Sequence, residues 1–238
     1  MEILALITAR GGSRTIPHKN IMSFHGKPLI AWSIEAALNS ESVSRVVTST
    51  DDLEIADIAK KFGSEVPFIR PEEYAQDDTT DYPVFKHALD WLSINESYHP
   101  DIIIHLRPTT PLRPLALIDK GVNLMLTRKN ADSLRCVCEP HNNPFKMWSI
   151  DNEGFMHPLC DSGIFEQYNQ PRQLLPDVYW QVGTLDITRS KTILEKKSMS
   201  GNNILSLVID KKFAVDIDDI ASLNHADFVI NKYGMFPE

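Results

Sequence analysis

Short apolar runs alternate along this chain with stretches whose apolar residues recur every three or four positions. The apolar runs predict β-strands at 3–8, 45–50, 66–69, 101–106, 133–137, 178–188 and 204–209. The run at 101–106 is almost continuously apolar, which is typical of a strand that is buried on both faces.

Helices are predicted between these runs. Lys27-Pro28 is expected to open the first helix, and Asp51 is expected to cap the second, with Glu54 as its capping-box partner. Three further helices are predicted from apolar spacing: one after residue 81, one carrying Leu115, Ile118, Val122 and Met125, and one over 219–233.

This alternation predicts an α/β fold of three layers, with a mostly parallel sheet and helices on both faces. We expect residues 1–238 to form a single domain. An insertion is predicted at about 139–176, where Pro, Asn, His and Gln are frequent and no period is sustained. We interpret it as a lid or as an arm onto a partner subunit.

Ligands of parallel sheets bind beyond the carboxyl ends of the strands. The polar loops that follow predicted strands should therefore meet at one edge of the sheet. These loops are 10–20, 48–51, 70–81 and 107–113.

Composition narrows the function. The 238 residues carry a net charge of −8 and are 42% hydrophobic, which is ordinary for a globular protein with a buried core. A pI near 5.5 argues against a nucleic-acid-binding protein, because a phosphate-backbone footprint needs a basic face. No apolar run is long enough for a membrane span, and we see no signal peptide. Cys136, Cys138 and Cys160 form no disulfide framework, so we expect a cytoplasmic protein with reduced thiols.

The loop after the first strand is cationic, against the acidic average of the chain. Arg10, Arg14 and Lys19 can neutralise an anion, and Gly11 and Gly12 let backbone N–H groups approach it. A polyphosphate site is one interpretation, and a turn with solvated cations is the other. The loop matches neither the dinucleotide-binding fingerprint nor the P-loop.

A second candidate site is the acidic segment 215–219. Asp216 and Asp218 are two residues apart, so on an extended segment both carboxylates point the same way. Such a pair suits Mg²⁺, which binds one or two carboxylates together with phosphate oxygens. A helix N-cap cluster is the alternative, and Asp219 could be the cap while the other two hold metal.

Five motifs in sequence order give the chain a family resemblance. They are Ala9-Arg-x-x-Ser-x-x-Ile-Pro-x-Lys-Asn20, Arg70-Pro71, Pro108-Thr-Thr-Pro-Leu-Arg113, Gln170-Pro-Arg-Gln173 and Asp216-Ile-Asp218. From residue 3 to about residue 230 the chain resembles the CMP-sialic acid synthetases (acylneuraminate cytidylyltransferases) and bacterial relatives that act on similar nonulosonic acids. The resemblance implies a nucleotide-diphospho-sugar transferase-like fold. It also implies transfer of a cytidylyl group from CTP to a sialic-acid-like 2-keto sugar acid, with release of pyrophosphate.

The same resemblance implies site residues for the nucleotide. Arg10 and Lys19 would be catalytic, neutralising charge on the α-phosphate and on the leaving pyrophosphate. Asp216 and Asp218 would hold Mg²⁺ as cofactor, and Arg70 would face the cytosine. The implied CTP-binding residues are Ala9, Arg10, Gly11, Ser13, Lys19, Asn20, Arg70 and Asp81.

For the sugar acid the implied residues are Arg107, Lys146, Arg172 and Gln181. Arginine can bind a carboxylate bidentately, although Lys146 and Arg172 could equally be solvated surface cations. In the family the inserted segment is a dimerisation arm that reaches towards the neighbouring subunit. The resemblance therefore implies a homodimer.

Two departures from the family pattern concern the acceptor. Sialate enzymes usually have Gln where this chain has Arg107, and Arg-Pro-Asn-Gly where it has Trp180-Gln181-Val182-Gly183. A legionaminate-like or other modified acid, or a smaller acid such as a phosphonate, is therefore an alternative to N-acetylneuraminate. Two other function classes stay open: a glycosyltransferase with an Asp-x-Asp metal motif, and a nucleotide-binding module without turnover.

Overall fold

A computed structural model describes residues 1–114 and 116–234, so Leu115 of the predicted helical stripe lies outside the described residues. The strands are β1 (Ile3–Thr8), β2 (Ser23–Phe24), β3 (Lys27–Pro28), β4 (Arg45–Ser49), β5 (Ile102–Leu106), β6 (Ser133–Cys138), β7 (Trp148–Ile150), β8 (Met156–Pro158), β9 (Trp180–Arg189) and β10 (Ile204–Val208). The helices are α1 (Leu29–Leu38), α2 (Leu53–Lys61), α3 (Asp81–Glu96), α4 (Leu117–Thr127), α5 (Ser190–Leu194) and α6 (Ile220–Tyr233).

The central sheet has six strands in the order β10-β6-β9-β5-β1-β4. β9 runs antiparallel to both of its neighbours, and the remaining pairs are parallel. Helices α1, α2 and α4 pack on the face to which Ala5 and Ile7 of β1 point, and α3 and α5 pack on the face of Leu4 and Leu6. The predicted three-layer α/β fold is therefore confirmed.

Helix α6 packs outside these layers. Its residue Val229 clusters with Leu29 and Trp32 of α1. Asp219 caps α6, because its carboxylate accepts the Ser222 N–H at 2.8 Å. Within the described ranges, no helix is both long and apolar enough to cross a lipid bilayer.

Three local predictions are wrong. Lys27-Pro28 forms a strand, and α1 begins only at Leu29. Residues 66–69 form no strand: Glu65 makes an isolated bridge to Val47, and Pro67, which has no N–H to donate, follows two residues later. The cap of α2 is Asp52, whose Oδ1 accepts the N–H of Glu54 at 2.8 Å.

The insertion at 139–176 is more regular than the sequence suggests. It contains the β7–β8 hairpin and three short 3₁₀ turns. Several of its large apolar side chains are exposed: Ile150, Phe155, Met156, Leu159, Phe165 and Leu174. These exposed side chains are available for contact with another molecule.

Candidate active site

A cleft of about 440 Å³ lies beyond the carboxyl ends of β1 and β5, and we call it the loop cleft. Loops 10–20, 70–81 and 107–109 line it together with Asp218. The residues named from sequence that line it are Arg10, Ser13, Lys19, Asn20, Arg70, Asp81, Arg107 and Asp218. The predicted gathering of these loops at one sheet edge is what the structure shows.

One hydrogen bond within the cationic loop stabilises it, and ion pairs connect it to loop 70–81. Asn20 Nδ2 donates to the carbonyl oxygen of Arg10 at 2.9 Å. Arg10 Nη1 donates to Asp77 Oδ1 at 2.5 Å, and Arg14 pairs with the other oxygen of the same carboxylate. The hydrogen bond from Arg10 lowers the pKa of Asp77. Loop 70–81 is therefore held against the cationic loop by one exposed carboxylate.

Asp218 of the acidic pair meets the cationic loop although it lies 199 residues from Lys19, whereas Asp216 does not line the loop cleft. Lys19 Nζ donates to Asp218 Oδ1 at 2.9 Å, and the Thr15 hydroxyl donates to the Asp218 carbonyl oxygen. The Ile217 N–H donates to the Thr109 carbonyl at 2.8 Å, which fastens the acidic segment to loop 107–113. Ile217 is buried whereas Asp216 and Asp218 are exposed, so the two carboxylates share the outer face.

These carboxylates fit a magnesium ion. Across residues 1–114 and 116–234, no three His, Cys, Asp or Glu side chains form a group suited to a metal. Mg²⁺ does not need such a group when substrate phosphate oxygens supply the other ligands. Asp219 is committed to its cap, and hydrogen bonds from Ser222 lower its pKa. Asp216 and Asp218 would therefore hold the ion.

Asp51, which the sequence suggested as a helix cap, instead supports the cleft. Its Oδ1 accepts the Gly11 N–H at 3.1 Å and pairs with Arg70 Nη2 at 3.3 Å. Arg70 is buried, and burial lowers its pKa; its Nε has no hydrogen-bond partner among the described residues. An unpartnered donor in the cleft wall is suited to a ligand acceptor.

Gly11 is half-buried and lies against the side chain of Asp52. A Cβ at this position would lie 2.7 Å from Asp52 Oδ2, so a side chain does not fit without displacing the cap of α2. Ala9 is also buried, and its N–H donates to the Ser49 carbonyl at 3.1 Å. Gly12 and Ser13 line the cleft. A ligand can therefore come close to the backbone at these two residues.

A second cavity of about 380 Å³ lies on the sheet face between β5, β9, β6 and β10, and we call it the strand cavity. It shares Asp81 and Arg107 with the loop cleft, and Gln181 lines it. Arg107 Nη2 donates to Asp81 Oδ2 at 3.0 Å, and Nη1 donates to Asp186 Oδ2 at 2.7 Å. Arg107 therefore stands where the two cavities meet.

Sequence reasoning missed three polar residues of the strand cavity. Asp186 of β9 lies opposite His105 of β5 on one side and opposite Arg135 of β6 on the other. Burial lowers the pKa of His105 well below its usual value, and His105 Nε2 shares a 2.9 Å hydrogen bond with Thr8 Oγ1. His105 is the lone polar residue of β5, a signal that the sequence does contain, whereas β6 and β9 carry other polar residues besides Arg135 and Asp186.

A buried arginine fixes the loop that carries Arg107. Arg113 is 1% exposed and donates to the carbonyl oxygens of Arg107 and Thr184, each at 2.8 Å. Its Nη1 donates to Ser33 Oγ at 2.9 Å. Burial lowers the pKa of Arg113 to about 9. Because one guanidinium ties three segments together, the backbone of Arg107 has little freedom.

Lys146 and Arg172 lie in the insertion and line neither cavity of the described chain. Lys146 Nζ donates to the Gln170 carbonyl at 2.6 Å, and Arg172 Nη2 donates to the Pro140 carbonyl at 2.7 Å. Arg172 also pairs with Glu139 at 3.0 Å. A single chain therefore does not bring these two cations to the other site residues.

Comparison with known proteins identifies the family of the chain. The cytidylyltransferase family model matches residues 4–144. The chain is 32% identical to a pseudaminic acid cytidylyltransferase of Campylobacter jejuni over 95% of both sequences. It is 33% identical to the CMP-N,N'-diacetyllegionaminic acid synthase of Legionella pneumophila over 92% of this chain and 91% of that one.

A solved structure shares the fold. CMP:2-keto-3-deoxy-manno-octonic acid synthetase, complexed with CTP, superposes with a TM-score of 0.71 over 98% of this chain and 99% of its own, at 15% identity. The family match covers more than half of the chain, and the sequence relatives cover nearly all of it. This chain belongs to the cytidylyltransferase family.

Proposed function

We propose that this enzyme transfers the cytidylyl group of CTP to a nonulosonic acid, a sialic-acid-like 2-keto sugar acid, and releases pyrophosphate. The observation that carries the proposal is the 2.9 Å contact between Lys19 Nζ and Asp218 Oδ1, which joins the cationic loop and the acidic pair at one cleft. The relatives named for pseudaminic and legionaminic acids support this acceptor class.

In the proposed reaction an acceptor hydroxyl oxygen bonds to the α-phosphorus, the bond from phosphorus to the pyrophosphate oxygen breaks, and the hydroxyl proton leaves to solvent. Arg10 and Lys19 stabilise the charge that grows on the phosphate oxygens, and Ser13 and Asn20 help to position the triphosphate. Mg²⁺ at Asp216 and Asp218 would supply further neutralisation of the phosphates. Arg70, which lines the loop cleft, would contact the base.

The strand cavity is the proposed acceptor site. It adjoins the loop cleft through Arg107, whose cationic guanidinium suits an acidic substrate, and Gln181 lies on its wall. A 2-keto acid held there would lie next to a nucleotide held in the loop cleft. This adjacency favours group transfer between two bound substrates.

We also propose that the enzyme is a homodimer in which the insertion contacts the partner subunit. The exposed apolar side chains of the insertion support this, and so does the fact that Lys146 and Arg172 line neither cavity of their own chain. In such a dimer these two cations would act at the neighbouring subunit's acceptor site. Free Cys136, Cys138 and Cys160 support a cytoplasmic location, which is likewise a proposal.

Sedimentation tests the dimer. The wild-type protein should have twice the 27.0 kDa mass of one chain. Phe165, in the insertion, is 85% exposed, and Phe165→Ser should shift the equilibrium to monomer. Phe228→Ser, at an exposed phenylalanine of α6, is the matched control and should leave the mass unchanged. A wild-type monomer at high micromolar concentration would contradict the proposal.

An acceptor screen tests the activity. Purified protein is incubated with CTP, Mg²⁺ and, separately, pseudaminate, N,N'-diacetyllegionaminate, N-acetylneuraminate, 2-keto-3-deoxy-manno-octonate and a small phosphonate. We expect pyrophosphate release with at least one sugar acid and none without acid. Release with the phosphonate alone would mean that the acceptor is a phosphonate and not a sugar acid. Binding of CTP without any release would favour a non-catalytic module, and consumption of a CMP-sugar would favour a glycosyltransferase.

A further inference from the structure

The strand cavity contains a buried carboxylate oxygen that accepts no hydrogen bond from the described residues. Asp186 is 4% exposed, and its Oδ2 accepts the hydrogen bond from Arg107 Nη1 at 2.7 Å. Its Oδ1 accepts no hydrogen bond from any described residue. Arg135 Nε lies 3.5 Å from Oδ1, at ion-pair distance but without the geometry of a hydrogen bond.

Although Arg135 lies at ion-pair distance, such an oxygen is costly to leave without a hydrogen bond. A buried carboxylate that lacks a donor loses its hydration without replacement, and a hydrogen bond to a charged group is among the strongest in proteins. A ligand that brings an O–H or N–H group to Oδ1 removes this cost. A ligand that brings a methyl or a carbonyl group leaves the cost in place and is rejected.

The surroundings of Oδ1 determine what can reach it. His105, directly across the sheet, already shares its Nε2 with Thr8, and Arg107 is engaged by Asp81 and by the other oxygen of Asp186. Apolar side chains complete the wall: Phe85, Ile103, Val137, Met199 and Ile204. A carbon skeleton can rest on that wall while a donor group points at the carboxylate.

We propose that Asp186 is a specificity-determining residue, which selects acceptor acids that present a hydroxyl or acylamino hydrogen-bond donor to its Oδ1. This inference rests on the proposed function, because it places the acceptor in the strand cavity. It adds a requirement that neither Arg107 nor the nucleotide residues impose. The enzyme should discriminate between acids that differ by this one donor.

The first test exchanges the carboxylate for an amide. In Asp186→Asn the amide oxygen stays with Arg107, so the NH₂ group occupies the position of Oδ1 and faces the donor of the substrate. With the acid that the wild type uses, we expect the acid KM to rise roughly tenfold or more. The CTP KM should stay within about twofold, because Asp186 itself does not line the loop cleft.

Asp132→Asn is the matched control. Asp132 is a buried carboxylate at the start of β6 that pairs with Lys196 at 2.6 Å and lines neither cavity. Its exchange should lower the melting temperature and leave the acid KM within about twofold. If Asp186→Asn behaves like this control, or if both KM values and the melting temperature move together, Asp186 is structural and the inference is wrong.

The second test uses the wild-type enzyme and therefore does not depend on a variant that folds. Its accepted acid is compared with analogues that lack one hydroxyl at a time and with an analogue methylated on each amide nitrogen. One analogue should lose roughly tenfold or more in kcat/KM, and that loss should shrink in Asp186→Asn. A deoxy analogue identifies an O–H donor and an N-methyl analogue an N–H donor.

The outcomes separate the two proposals. Uniform activity across the analogues overturns the role of Asp186 and leaves the proposed function standing. If the wild type releases pyrophosphate with none of the sugar acids, the proposed function is wrong and this inference is wrong with it.

Discussion

The loop cleft and the strand cavity meet at Arg107 and Asp81, but the chain builds them in opposite ways. The side chains of the loop cleft come from loops that follow strands, and many of them stand close together in sequence. In the strand cavity three ionisable side chains come from three different strands, and the register of the sheet brings His105, Arg135 and Asp186 abreast. The polar residues of the loop cleft can therefore be recognised as a sequence motif. Those of the strand cavity come together only through the pairing of the strands.

The two regions also hold their charges differently. In the loop cleft, Arg10, Arg14 and Lys19 pair with the exposed carboxylates Asp77 and Asp218, which a ligand can displace. The Arg107–Asp186 pair of the strand cavity is largely removed from solvent. We therefore expect substitutions in the loop cleft to change turnover, and substitutions in the strand cavity to change stability and acceptor choice.

The largest expected effect is that of Lys19→Ala. Loss of a charge directed at the transition state should lower kcat roughly 100-fold or more, measured as pyrophosphate release with saturating substrates. Lys60→Ala, at an exposed lysine of α2, is the control and should be active. A loss of tenfold or less with unchanged metal dependence would remove Lys19 from its proposed role and weaken the contrast between the two regions.

Asp216→Asn should lower kcat by roughly 100-fold and raise the Mg²⁺ concentration needed for half-maximal rate. A magnesium titration of the initial rate measures this. Asp219→Ala is the matched control: loss of the cap of α6 should lower the melting temperature and leave the magnesium curve unchanged. Identical magnesium curves for Asp216→Asn and wild type would count against the metal site.

Asp77→Asn should make CTP bind more tightly. Its carboxylate engages Arg10 and Arg14, the cations that the triphosphate needs, so its removal should lower the CTP KM by about two- to fivefold, the scale of an exposed ion pair. The adjacent Asp78→Asn is the control and should not change the KM. A higher CTP KM in Asp77→Asn would mean that the carboxylate supports the bound nucleotide instead of competing with it.

The smallest expected effect is on the pH dependence of stability, and it concerns His105 of the strand cavity. Because burial keeps His105 neutral in the folded state, the unfolded chain binds more protons below about pH 6.5, and stability should fall as pH decreases, by at most about 1.4 kcal/mol per pH unit. His105→Gln should reduce this slope. Some slope should remain, because burial also lowers the pKa of His87.

Urea unfolding at about pH 7 and about pH 5.5 measures this slope. His99→Gln, at an exposed histidine, is the control and should keep the wild-type slope. If His105→Gln also keeps that slope, His105 does not resist protonation in the fold. Charges on the facing elements (Asp81, Arg107, Arg113, Arg135 and Asp186) are unchanged in both variants, so they cancel from the comparison.

Some local predictions failed because more than one residue or segment could take the same role. Which of them does so depends on the tertiary structure. Asp51 and Asp52 are both good caps by residue type, yet Asp52 is the one whose extended backbone directly precedes α2, which leaves Asp51 to Gly11 and Arg70. Residues 66–69 have an apolar pattern typical of a strand, but the pairing with β4 ends at Glu65. Propensity describes one residue in isolation, whereas both outcomes depend on which partner a residue contacts in the fold.

The sequence by itself determined the layered α/β fold and the loops that meet at the carboxyl edge, because apolar periodicity records which face of each element is buried. It also identified the loop cleft, since Arg10, Lys19 and Asn20 lie within one loop. Only the tertiary structure decided that Lys19 meets Asp218 and that Asp186 lies between His105 and Arg135. Those contacts join residues that are distant in the chain, and strand register and loop closure place them together only when the whole sheet is assembled.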